Sequence, residues 1–344
     1  MNPATQRRWF ATFVLTLLVA TAAPIGAQEP AADDSVVFTT PQFEFRSHLA
    51  TNLNDALLEA GRNRNLDRPD LFAEGGAQAC FDALPLSARR GWELAVEYYA
   101  EVIASSSWSS RQQTLLRLHL AGYDDQVAAG RDREFLKIAA GFWDAAVPAY
   151  RECRWAEQDA SNRVLASRLQ TLLAEHGAAI AERLPEIYGE PWGALPYQID
   201  LVETVNWAGA NSYFLRGGRG HILMSRETSQ LAQMETTFHE ASHGWMFGNH
   251  AIRRALAEAA QTQGVELPTN LWHVVLFMTT GEVVRSVLES AGVTDYRPVV
   301  YSIFDRGDWT ELREPIERAW LPYLRGERSM EQAAADLVAA LGGE

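Results

Sequence analysis

The run His239-Glu240-Ala241-Ser242-His243 holds the residue types most able to do chemistry in this chain. On an α-helix, residues i and i+4 lie on one face, one turn apart. Two imidazoles spaced this way can reach a single tetrahedral zinc ion at about 2.0–2.1 Å. A neutral imidazole brings no buried charge with it. The glutamate beside the first histidine points to where an activated water would sit, and there it can take the proton as the water attacks a carbonyl. The competing reading is a helix whose two histidines bind no metal.

Several elements must position this run. Leu231, Met234, Phe238, Ala241, Trp245 and Met246 surround it with an apolar helical pattern that begins near Ser229. Upstream, Tyr197-Gln198-Ile199-Asp200-Leu201-Val202-Glu203-Thr204-Val205 is β-rich and partly alternating, and Asn211 to Leu215 reads as a second strand. Arg216-Gly217-Gly218-Arg219-Gly220 reads as a turn and His221 to Ser225 as a short strand. The spacing predicts a small antiparallel sheet ahead of the helix.

In this setting residues 197–301 resemble the zincin metallopeptidases. The resemblance implies one zinc ion per chain and a sheet edge that binds substrate in extended form. His221 to Ser225 is then the expected edge strand, pairing with a peptide by β-strand addition. The metzincin variant fails. Met246 and Asn249 stand where its glycine and third histidine belong, and His250 is one residue late, about 100° round the helix. The short-spaced gluzincin variant would want an acid near position 263, which is Gln263. A longer spacing is open. Thr269 to Ala291 is a strongly apolar helical run with Glu282 inside it, and a buried carboxylate there needs a metal or an ion pair. Gly281 would let this helix approach the histidine helix closely. Glu282 is therefore the expected third ligand, with a salt bridge to Arg285 as its alternative role. Glu258 is expected on solvated surface. His273, nine residues before Glu282, falls about 180° away on a continuous helix. It cannot share the ion with Glu282 unless the helix kinks, and is expected to line the cleft or to pack in the core. The resemblance also asks for a donor to the developing oxyanion. Tyr301 is the first candidate, followed by Tyr296, Tyr213 and His273.

The remainder of the chain bounds the reading. It has 344 residues, 47% hydrophobic and 22% charged, an ordinary globular balance. Thirty basic against 44 acidic side chains give a net charge of −14, which argues against gripping nucleic acid through phosphates. Residues 1–27 read as a signal peptide: Arg7 and Arg8, an apolar run from Trp9 to Ala23, then Ile25-Gly26-Ala27 before the cut. Arg7-Arg8-Trp9-Phe10 also fits the core of a twin-arginine signal. The apolar run is short for a bilayer, and no later stretch is expected to span one. The expected location is periplasmic or secreted, with no stable membrane insertion after cleavage; an uncleaved anchor is the alternative. Export permits a Cys80–Cys153 disulfide, and two buried free thiols are the alternative.

Residues 28–45 read as an extended lead-in, 46–190 as a helical region and 191–344 as the catalytic region. Gly130 and Gly177 are expected breaks between helices. The N-terminal tryptophans and tyrosines are expected in core and groove lining, and this half is expected to wall a cleft over the metal. The fold class expected is mainly α (α+β): a helical N-terminal half, then a small antiparallel sheet packed on a zincin-like helical core. The function expected is an exported zinc-dependent peptidase acting on peptide or protein substrates, with Glu240, Tyr301 and His273 catalytic and His239, His243 and Glu282 on the metal. The alternative is an exported helical binding protein with a structural or inactive zinc site.

Overall fold

Alternation decides the centre of the fold. In strand β3 (Tyr197–Leu201), Tyr197, Ile199 and Leu201 join the main apolar core, while Gln198 and Asp200 point to the other face; all five are buried. In strand β5 (Gly220–Met224), Ile222 and Met224 do the same against His221 and Leu223. A sheet buried on both faces needs cover on both, and helices supply it.

This is seen in a computed structural model, which describes residues 35–73, 75–104, 111–127, 130–205, 209–214, 218–225, 229–246 and 248–343. The proposed signal peptide and residues 216–217 of the proposed turn lie outside the described residues. The sheet also contains β1 (Val36–Thr39), β2 (Phe43–Arg46) and β4 (Ala210–Phe214), in the order β1-β2-β3-β5-β4. Helices α1 (Leu49–Asn65), α2 (Gly75–Ala83), α3 (Leu86–Tyr98), α4 (Arg111–Leu120), α5 (Arg131–Tyr150), α6 (Ala156–Leu172) and α7 (Ala178–Tyr188) fall between β2 and β3. After β5 come α8 (Gln230–Ser242), α9 (Ala251–Gln263), α10 (Leu271–Ser290), α11 (Val300–Ile303), α12 (Arg313–Leu324) and α13 (Met330–Leu341). The class is mainly α with one small sheet.

Three expectations about the sheet change. It is mixed: β2–β3 and β3–β5 are parallel, and only the outer pairs β1–β2 and β4–β5 are antiparallel. The expected lead-in supplies two of its strands, because Phe43 and Phe45 bury their rings in the main core when β2 pairs with β3. Finally, β5 is internal, and the edge on the side of α8 is β4.

The expected boundary near residue 190 does not separate two cores. Helical hydrogen bonding runs from Arg131 to Tyr188, passing through π-turns at Arg151–Trp155 and Leu173–Gly177. Gly177 is a helical residue inside the second turn, not a break, whereas Gly130 does precede α5 at φ +85°. The first part of this run belongs to a second core with α1 and α3, built on Trp92, Tyr99, Trp143 and Tyr150. Its later part, from Leu165 to Tyr188, belongs to the main core with the sheet, α8 and α10. Cys80 and Cys153 form a disulfide that ties α2 to the first π-turn, with Cα atoms 5.7 Å apart.

The face of the sheet that carries Asp200 and His221 is covered by α1 through a buried polar layer. Thr51 donates to Asp200 (2.8 Å), His221 Nε2 lies 3.0 Å from the same carboxylate oxygen, and Asn52 donates to the Leu201 carbonyl (2.9 Å). Buried Arg117 lies 3.9 Å from Asp55 and over the ring of Tyr213. Helix α1 therefore meets the sheet on the face away from α8, while α6 and α7 of the same N-terminal half pack against α8 and α10.

Helix α10 is, by length and mean hydropathy (1.2), able to cross a membrane, contrary to the expectation that no later stretch would be. It is a core helix: 72% of that window is buried, and α8, α7 and α12 pack around it.

Candidate metal centre

Ser229 caps α8, its hydroxyl accepting from the Ala232 N–H, so the helix starts where the sequence pattern places it. At His243 the helix tightens into a 3-10 turn, His243–Trp245. His239 and His243 remain on one face, with ring centroids 5.0 Å apart. His273, in the first turn of α10, completes a near-equilateral triangle: its ring lies 5.3 Å from His239 and 5.1 Å from His243. One nitrogen from each of the three falls within 4.8 Å of the others.

The triangle follows from how two helices lie against each other. Helices α8 and α10 run antiparallel. His243 faces His273, the His239 ring stacks on Phe277 at 3.7 Å, and Glu235 faces Gly281. Each step is four residues up one helix and four down the other. The close approach depends on Gly281, where a Cβ would sit 3.0 Å from Glu235 Oε1 and 2.8 Å from Pro298 Cβ.

That register places Glu282 away from the histidines. Nine residues of helix separate it from His273, about 13.5 Å along the axis. Its carboxylate is taken up by Arg285, with Nε at 3.0 Å, and by the Tyr301 hydroxyl, which donates at 3.2 Å. The ion pair held as the alternative for Glu282 is thus what the structure contains, and His273 stands where a third ligand was sought. Tyr301 serves Glu282, between the guanidinium groups of Arg297 and Arg313. Tyr296 serves Glu235, and Tyr213 faces Arg117 on the opposite side of the sheet. None of the three tyrosines touches the histidine triangle in any described contact. Glu258 is exposed, as its spacing predicted.

Glu240 is buried and hydrogen-bonded to Ser212 on the edge strand β4. Burial pushes its carboxyl up to about 7, and the Ser212 bond works in the opposite direction. Its Oε2 lies 3.8 Å from His243 Nε2. Strand β4 comes this close because of Gly244: a Cβ there would sit 2.8 Å from the Phe214 ring. The three imidazoles are held neutral. Burial is the main cause, lowering His243 to about 3 and His273 to about 4, and His239 well below the ordinary histidine value; neighbouring imidazoles add to the effect at His239 and His243. Neutral imidazole is the form that binds metal. The Nδ1 atom of His239 is buried with no hydrogen-bond partner. Three nitrogen donors without thiolate suit zinc among the common ions, and a three-ligand set leaves a fourth position open, the catalytic pattern rather than the structural one. The residues therefore fit a zinc ion.

The aromatic surround was missed by the sequence reading. Trp272 stacks on His273 (5.0 Å) and lies edge-on to His243 (5.7 Å), and Trp309 lies edge-on to His273 (5.7 Å). Trp272 and Phe277 share the helix of His273 and were legible as apolar positions. Ser212 and Trp309 come from elsewhere, and nothing local marks them.

Glu235 offers a test of the antiparallel packing that does not depend on metal. It is buried, accepts from the Tyr296 hydroxyl and the Val299 N–H (3.1 Å), and faces the close approach at Gly281. Burial pushes its carboxyl from 4.5 to about 8, aided by the Glu282 charge and opposed by its hydrogen bonds. Between those pH values the folded chain keeps a proton that the unfolded chain releases. Stability therefore falls as pH rises through this window, by up to about 1.4 kcal/mol per unit. Glu235→Gln should remove this contribution, so urea midpoints measured from pH 5 to 8 should slope less than those of the parent. An equal slope would mean that Glu235 ionises freely.

No protein-family model, no curated protein and no solved structure matches this chain.

Proposed function

We propose that this chain is an exported zinc-dependent hydrolase, most simply a peptidase, in which His239, His243 and His273 hold the ion and Glu240 is the general base. The observation that carries the reading is a three-histidine triangle beside a buried glutamate that is itself held by the sheet edge. Zinc bound there would supply Lewis acidity, polarising a carbonyl and making water acidic near neutral pH. Glu240 accepts the proton of the attacking water and then delivers it to the departing amine. The rings of Phe277 and Trp272 pack on the imidazoles of His239 and His273, which lowers the local dielectric and strengthens electrostatic contacts there.

A peptide substrate is favoured by strand β4. Among the described residues it pairs only with β5, and its Ser212 contacts Glu240, so an extended chain added along its outer edge would lie beside the base. The Cys80–Cys153 disulfide supports an oxidising compartment and with it the signal-peptide reading. His273 replaces Glu282 as the proposed third ligand, and no oxyanion role is proposed for Tyr301.

The test is elemental analysis of the purified chain, followed by a peptide-library digest with and without chelator. About one zinc per chain and chelator-sensitive cleavage are expected. No metal after zinc is offered would overturn the reading. Bound zinc with no cleavage would favour a binding protein with an inactive site.

A further inference from the structure

We infer that Arg253 recognises a carboxylate on the substrate, foremost the C-terminal carboxylate of a peptide. This rests on the peptidase reading. Arg253 and Arg254 are neighbours in the first turn of α9 but are used differently. Arg254 donates to the Asn249 carbonyl and lies 3.9 Å from Glu190, which also takes His250 and the Ala251 N–H. Arg253 pairs with no acid among the described residues, in a chain with 44 acids against 30 bases. Its guanidinium lies 5.4 Å over the ring of Trp272, the ring that stacks on His273 and meets His243 edge-on.

That arrangement puts one aromatic ring between a half-buried cation and the proposed metal ligands. The guanidinium carbon lies over the indole, and no hydrogen bond from its N–H donors is described. A planar fork of donors matches a carboxylate in two parallel hydrogen bonds. The terminal carboxylate of a peptide lies one residue from its last peptide bond, roughly 3.8 Å of chain. The guanidinium lies 5.4 Å from the Trp272 ring and that ring 5.7 Å from His243, so a carboxylate held on the side of the guanidinium facing the histidines would bring the last peptide bond toward them.

The test uses the zinc-loaded Glu240→Gln protein, so that bound peptide is not turned over. Calorimetry would compare acetyl tripeptides made as C-terminal acids, as C-terminal amides, and as amides carrying an internal aspartate. The acids should bind about tenfold tighter than the amides, the ratio expected of one charge-assisted pair. Adding Arg253→Gln should bring that ratio close to one without changing zinc content, and Arg253→Lys should restore part of it. Aspartate-containing amides that bind as well as the acids would support a carboxylate site that takes a side chain. Acids and both kinds of amide binding alike, or a preference that survives Arg253→Gln, would overturn the inference and leave the metal centre standing. Loss of all peptide binding in zinc-loaded protein would overturn the inference and the peptide substrate together. A chain that binds no zinc would be seen first, from elemental analysis, as failure of the functional reading itself.

Discussion

Glu240→Gln protein should hold its full complement of zinc and hydrolyse peptides slower by about 10²- to 10⁴-fold, the usual contribution of a general base. The amide is nearly the same size as the carboxylate and can keep a hydrogen bond to Ser212. It cannot accept a proton from water and pass it to the leaving amine. The substitution also removes an ionisable group from a site where burial opposes the charge. The variant should therefore melt no lower than the parent, which separates a lost base from a lost fold. Elemental analysis, a thermal melt and a kcat measurement on one peptide check all three points. A variant that keeps its rate would remove Glu240 from the chemistry. One that loses zinc and rate together would make Glu240 part of the metal's support.

The second large effect separates two residues of one helix. His273→Ala should weaken zinc binding by at least about a hundredfold, because even the partners behind such ligands cost 10- to 100-fold when removed. Glu282→Ala should leave zinc content unchanged and destabilise the fold by about 2 kcal/mol, the cost of losing a hydrogen-bonded ion pair. Arg285 keeps Glu289 as a partner, which limits the damage. Competition with a chromophoric chelator measures the first effect, and a urea midpoint the second. The reverse pattern, with zinc lost in Glu282→Ala and kept in His273→Ala, would mean that α10 packs in another register.

The sequence alone determined features that depend on neighbours along the chain. The His239-Glu240-x-x-His243 face follows from helical periodicity, and the Ser229 start from capping chemistry. The long apolar run of α10 marked a core helix holding both His273 and Glu282, with Gly281 as its point of close approach. Tertiary structure alone decided which of those two residues meets the histidines. Each side chain on a helix has a fixed angle and height, but the partner helix can slide along it by whole turns. Only the packing of α10 against α8, with Gly281 seated on Glu235, sets that register and brings His273 to His243. The same limit hid the sheet. Strands read locally show their alternation but not their partners, so the parallel pairing of β2 with β3 across helices α1 to α7 left no local mark. Edge position is likewise a property of the assembled sheet. For that reason Ser212 on β4, rather than a residue of β5, reaches Glu240.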